Sequence, residues 1–197
     1  MGEAKRRNAA YQHAKQAILH NSTGDARLVA EAAIQLFENY IAPLRYSNGC
    51  YLTTMVLHRY LLDERGIETD PIVGYVNDGT DDIFISHSWL EYEGRKTDIT
   101  LHIVDPMLPA KSGALLVMGQ ILKPGELDYS YHAGLTPAAL AANLQMSRDP
   151  HLKALLAHKE VEHRQMAARA ADDNLMKQFV AMAPPQFSYE AMRRALP

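Results

Sequence analysis

Along the chain, apolar positions first fall into helical order at Leu28, Val29, Ala32 and Leu36, which share one side of a helix spanning residues 25–40. The cluster Asn21-Ser22-Thr23-Gly24-Asp25 supplies its turn and capping chemistry, and Pro43 is expected to end it. The preceding residues 3–20 are rich in Ala, Lys, Gln and Arg, with few β-branched side chains. They predict a polar helix whose weak apolar stripe gives marginal docking. From Ser47 to Gly66 the pattern changes, because Leu52, Met55, Val56, Leu57, Tyr60, Leu61 and Leu62 surround much of the helix circumference. Such a helix is buried against a sheet on one side and other helices elsewhere, and is the expected centre of the core. Ser47 or Asn48 is its expected N-cap and Gly66 its stop.

At Pro71 the period shifts towards two. Ile72–Val76 reads as a strand, Asn77–Thr80 as a turn, and Ile83–Tyr92 as a second strand. Glu93-Gly94 is a tight turn into Arg95–Thr100, and Leu101–Val104 either extends that strand or begins another. Two-residue closure pairs Tyr92 with Arg95, which puts Asp98 opposite Trp89 and on the face of His87. A slip of one residue would move it to the other face. Beyond Pro106 come Pro109, Gly113, an apolar run Leu115–Leu122 and the turn Lys123-Pro124-Gly125. Thr136-Pro137 and Asp149-Pro150 each pair an N-cap with a first-turn proline, predicting helices over 137–147 and 150–181. Pro184-Pro185 closes the second, and a short helix follows Ser188.

The expected fold class is therefore α+β, with a central helix packed on an antiparallel sheet and helices at both ends. Residues 1–44 are read as N-terminal helices, 45–135 as the core and 136–197 as a helical region packed on it, within a single domain. Lys and Arg number 20 against 23 Asp and Glu, for a formal net charge of −3. That balance argues against nucleic acid as a partner, and Lys5-Arg6-Arg7 reads as a solvated helix end. No apolar run is long enough to span a membrane and the N-terminus is polar, so the expected location is cytoplasmic, with export lacking a cleaved signal left open. Neither a metal nor another cofactor is expected.

Candidate chemistry centres on Cys50, the only cysteine in the chain. Solitary intracellular cysteines are most often small buried hydrophobes. Here, however, the thiol stands where a loop enters an apolar helix, and unpaired N–H groups there favour a thiolate and later an oxyanion. His87 and Asp98 supply a base and an acid on neighbouring strands, the generalised triad arrangement. His58 is too far along the helix from Cys50, at about 12 Å for eight residues. His151, His158 and His163, with Glu160 and Glu162, resemble a metal box only loosely, since a five-residue spacing divides His158 and His163 between faces; they read as a solvated polar face. Met107, Met118, Met146, Met166, Met176 and Met182 read as core or helix-packing residues.

These residues resemble the transglutaminase-like superfamily of papain-type cysteine enzymes. The resemblance rests on Gly49-Cys50 opening a helix, Leu61–Glu68 closing it, the strand Pro71–Val76, and His87-Ser88-Trp89-Leu90-Glu91 followed by Gly94 and Asp98, all within residues 45–105. The spacing of His87 and Asp98 is similar to compact bacterial members such as lasso-peptide leader proteases. It implies a papain/transglutaminase-like core and acyl transfer by Cys50, His87 and Asp98 on a protein or peptide amide, as protease, glutamine deamidase or crosslinking enzyme. Asn48 or Tyr46 would assist the oxyanion site and Trp89 would support it. Asp105, in Asp105-Pro106, is a rival acid because it resembles the "D-P" of many members. Calcium, bound by animal members, has no matching acidic loop here. The alternative is an inactive fold of this kind used as a protein-binding module, its cleft covered by residues 107–135. The sequence leaves the oligomeric state open.

Overall fold

The computed structural model describes residues 2–105, 107 and 111–197; Pro106 and Pro109 lie outside the described residues. The polar N-terminal stretch forms α1 (Gly2–Asn21). Its docking rests on buried Tyr11 and Ile18 and on Glu38, which accepts from the Tyr11 hydroxyl at 2.9 Å and from Lys15 at 2.7 Å. In α2 (Gly24–Leu36), Val29, Ala32 and Leu36 enter the core while Leu28 stays at its margin. Pro43 does not end this helical run. A π-helical turn, Phe37–Ile41, carries it into the short α3 (Ala42–Leu44). The wider turn tolerates a proline that has no N–H to donate, and left-handed Arg45, at φ 48°, ends the run instead.

The central helix is α4 (Cys50–Arg65), and Gly49 is its N-cap in place of Ser47 or Asn48. The cause is local. Asn48 takes a left-handed conformation at φ 58°, turning the chain just before the helix. The Tyr46 ring then lies so close that a Cβ on residue 49 would meet it at 2.3 Å, so any larger residue there would have to displace that ring. Gly66, at φ 67°, closes the helix where expected. Met55, Val56, Leu57, Tyr60 and Leu61 are buried within it, and Leu62 is half-buried.

β1 (Asp70–Asn77), β2 (Ile85–Tyr92) and β3 (Arg95–Thr97) pair in antiparallel order. Glu93 and Gly94 have φ of 50° and 69°, the conformation of a two-residue hairpin turn, and Tyr92 lies opposite Arg95. Strand β3 is shorter than expected, and Leu101–Val104 forms turn and loop rather than strand. Asp98 ends it by drawing the N–H groups of Thr100 and Leu101 onto its own carboxylate. The apolar run beyond folds as a hairpin, β4 (Leu115–Val117) and β5 (Gln120–Lys123), turned at Met118-Gly119. A short β6 (Ser130–His132) pairs with β1. The main sheet runs β3-β2-β1-β6, and an isolated Asp98–Leu116 bridge attaches the β4–β5 hairpin.

Helices α5 (Pro137–Met146) and α6 (Pro150–Ala171) start as the Thr136 and Asp149 caps predict. The long helix expected to reach residue 181 is broken: Asp172 is extended, and its side chain caps α7 (Asp173–Ala181) by accepting from Leu175 N–H. A 3₁₀ turn, Pro185–Phe187, and α8 (Tyr189–Arg193) follow. α4 packs on β2 and β1, α6 on β1, and both α7 and α8 on α4. The fold is α+β, and one buried cluster reaches from Tyr11 through α4 to Leu196. Among the described residues no helix is long and apolar enough to cross a membrane.

Candidate active site

His87 and Asp98 meet where the β2–β3 hairpin brings them to one face. His87 Nε2 donates to Asp98 Oδ2 at 2.6 Å, with both side chains buried. Asp98 is fixed from several directions. Its backbone exchanges two hydrogen bonds with Leu116, at 2.8 and 2.9 Å. Its Oδ1 accepts from the N–H of Thr100 at 3.0 Å, the hydroxyl of Thr100 at 3.1 Å and the N–H of Leu101 at 3.2 Å. Its Oδ2 also accepts from the Tyr131 hydroxyl at 2.9 Å. Tyr131 comes from β6, which no sequence signal marks, because three residues are too few to show alternation.

The same face explains Trp89. Its indole N–H donates to Glu91 at 2.8 Å, and its ring meets Tyr131 edge-on with centroids 5.1 Å apart. Gly74 makes room for that ring, since a Cβ there would lie 2.6 Å from it and 2.5 Å from the His132 carbonyl. Trp89 thus braces the tyrosine that holds Asp98.

The electrostatics follow from this packing. Burial works against charge on His87 and is the largest influence, but the charges of Asp98 and Cys50 and their hydrogen bonds outweigh it, raising the ring to about 10. Burial also works against the Asp98 carboxylate, and again the His87 charge and hydrogen bond, with the Thr100 and Leu101 amides, prevail and lower it. Burial and the adjacent carboxylate raise the Tyr131 phenol, which stays a donor. The result is an imidazolium–carboxylate pair, with Nδ1 as the ring nitrogen left for the thiol.

Cys50 is half-buried at the first residue of α4, and no side chain caps that turn. Together with His87, Asn48, Asp105, Lys111 and Tyr129 it lines a cleft of about 150 Å³. Asp105 faces the cleft, but its Oδ1 accepts from the Met107 N–H at 2.9 Å, whereas His87 is bonded to Asp98. Tyr46 lies on the other side of the loop, stacked on Phe187 at 4.3 Å, and lines a neighbouring cavity instead. Asn48 borders both cavities.

Two other expectations change. His163 does not belong to a solvated face: it is half-buried, stacked on Tyr75 with centroids 4.3 Å apart and bonded to Ser86. His151 and His158 are exposed, and among the described residues no group of three or more His, Cys, Asp or Glu is placed to hold a metal ion. Of the methionines read as packing residues, Met118 and Met176 are buried, but Met107 and Met182 are exposed. No protein-family description, curated protein or solved structure matches the chain.

Proposed function

We propose that the protein is a thiol-dependent hydrolase or acyltransferase of transglutaminase-like type, acting on a protein or peptide amide through Cys50, His87 and Asp98. The observation that carries this reading is the buried His87–Asp98 hydrogen bond beside a cysteine at a helix tip that no side chain caps. His87, as imidazolium, holds Cys50 as thiolate, and Cys50 Sγ attacks the amide carbon. The tetrahedral oxyanion is held by the Cys50 backbone N–H and the Asn48 side chain, and losing such a donor costs about 100-fold to 1,000-fold in rate. The C–N bond then breaks, His87 protonates the departing amine, and a thioester remains on Cys50. Water, deprotonated by His87, releases an acid; an amine in its place forms a new amide.

Mass spectrometry of the protein incubated with a peptide library tests the reading. An acyl adduct on Cys50, absent in Cys50→Ala, is the expected result, and the released product distinguishes cleavage, deamidation and crosslinking. Turnover that survives in Cys50→Ala would require another nucleophile. A rival reading, an inactive fold of this type serving as a protein-binding module, draws on the narrowness of the cleft and its lining by Lys111 and Tyr129 from the 107–135 segment. It predicts peptide binding without any adduct.

A further inference from the structure

Beside the proposed triad, three polar side chains from three different elements meet at one hydroxyl. Tyr51 Oη lies 2.7 Å from Ser86 Oγ, and Ser86 Oγ lies 2.5 Å from His163 Nδ1. Tyr51 directly follows Cys50 on α4, and Ser86 directly precedes His87 on β2. Ser86 also lines the Cys50 cleft. His163 belongs to α6 and is held by its stack on Tyr75, which pairs with Ser86 across the β1–β2 ladder. Whichever tautomer His163 adopts, the serine hydroxyl donates one bond and accepts the other, so all three groups are satisfied together.

We propose that Tyr51, Ser86 and His163 form a positioning clamp that sets the approach of Cys50 to His87, making α6 a working part of the site. The inference rests on the triad reading above. Its physical basis is leverage. The nucleophile and the base each sit one residue from a member of the clamp, and an error of about 1 Å in such an approach can cost on the order of 100-fold in rate. A hydrogen bond joining the two neighbours removes that freedom without touching the reacting atoms. None of the three contacts either His87 or Asp98 through a side-chain hydrogen bond, so the clamp acts through backbone placement.

The surroundings fix the charge state in which the clamp works. Burial holds the His163 ring below its usual range, with the Glu160 carboxylate opposing. Burial pushes the Tyr51 phenol up to about 12, the Ser86 bond acting against it, with Cys50, Glu162 and Tyr75 adding to the rise. Near neutral pH the clamp is therefore uncharged and its hydrogen bonds are intact.

The test is the rate of Cys50 alkylation by iodoacetamide between pH 6 and pH 10 on the full chain. At pH 6 an ordinary thiol, with a pKa of about 8.5, is almost wholly protonated, so reaction there reports transfer of the proton to His87. Ser86→Ala is expected to lower the pH 6 rate roughly 10-fold to 100-fold and leave the pH 10 rate unchanged. Ser86→Thr, which restores the hydroxyl, is expected to recover most of it. Tyr51→Phe, which keeps the ring packing, should reproduce the Ser86→Ala defect, and the double variant should be no worse than either alone because both act through one contact. A loosening without a positioning role would expose the thiol and move both rates together. Fast wild-type reaction at pH 6 that is the same in Ser86→Ala and Tyr51→Phe overturns the clamp alone. Wild-type reaction with an ordinary thiol profile overturns the triad reading, and the clamp's role with it.

Discussion

Both carboxylate oxygens of Asp98 are occupied, and this decides what its replacement would do. Volume alone predicts that Asp98→Asn leaves folding intact. The hydrogen bonds predict otherwise: Asn can still accept from Thr100 and Leu101, but its amide N–H₂ would face the donors of His87 and Tyr131. The expected outcome is a loss of about 1–3 kcal/mol in urea unfolding, with adduct formation on Cys50 slowed by orders of magnitude. Asp105→Asn, whose carboxylate accepts from the Met107 N–H of its own loop, should slow it far less. Equal defects in the two variants would return Asp105 to the role of acid. At this scale the chain was partly legible. Cys50, His87 and Asp98 stand out because hairpin arithmetic relates two of them and the helix start marks the third. Tyr131 and His163 do not, since nothing in the local sequence relates them to residues 33 and 77 positions away.

Among the elements, a cap followed by a first-turn proline carried the clearest information and helix continuity the least. Thr136 and Asp149 announced their helices because a cap and a first-turn proline act locally. The break falls at Asp172-Asp173-Asn174, capping residues between two helix-forming stretches, where a capping side chain competes with continuation of the helix. Asp172→Ala removes the bond to Leu175 N–H and is expected to cost about 1 kcal/mol of stability. A larger consequence would be straightening of α6 into α7, which would lift α7 from α4 and expose buried Met176 and Val180. Thermal unfolding of Asp172→Ala beside Asp172→Asn, which keeps a capping oxygen, measures the local cost. A melting temperature unaltered in Asp172→Ala would show that packing on α4 alone sets the break.

For the whole molecule, the buried His87–Asp98 pair ties stability to pH. The folded value of His87 is raised, so its contribution is complete below its unfolded value of about 6.5 and is lost as pH rises through about 10. The folded value of Asp98 is lowered, so its contribution is present above its ordinary value and is lost as pH falls through the folded one. The pair therefore stabilises most from about pH 4 to about pH 6.5. Urea unfolding of wild type and of His87→Gln/Asp98→Asn should show a stability gap at pH 5 that narrows by pH 10. A gap that widened with pH would mean that His87 is neutral in the folded protein.

By itself the sequence determined the local features: the α+β class, the buried helix that closes at Gly66, and the Glu93-Gly94 turn that brings Asp98 to the face of His87. Each is written in residues close together in the chain, where period, capping and left-handed turns act over a few positions. Only the tertiary structure decided what surrounds them. It placed Tyr131 on the acid, put the Tyr46 ring rather than a capping side chain against the glycine before Cys50, and set His163 of α6 against Ser86. Those contacts depend on how strands and helices pack over long separations, and packing is set by shape and burial that no short window of sequence contains.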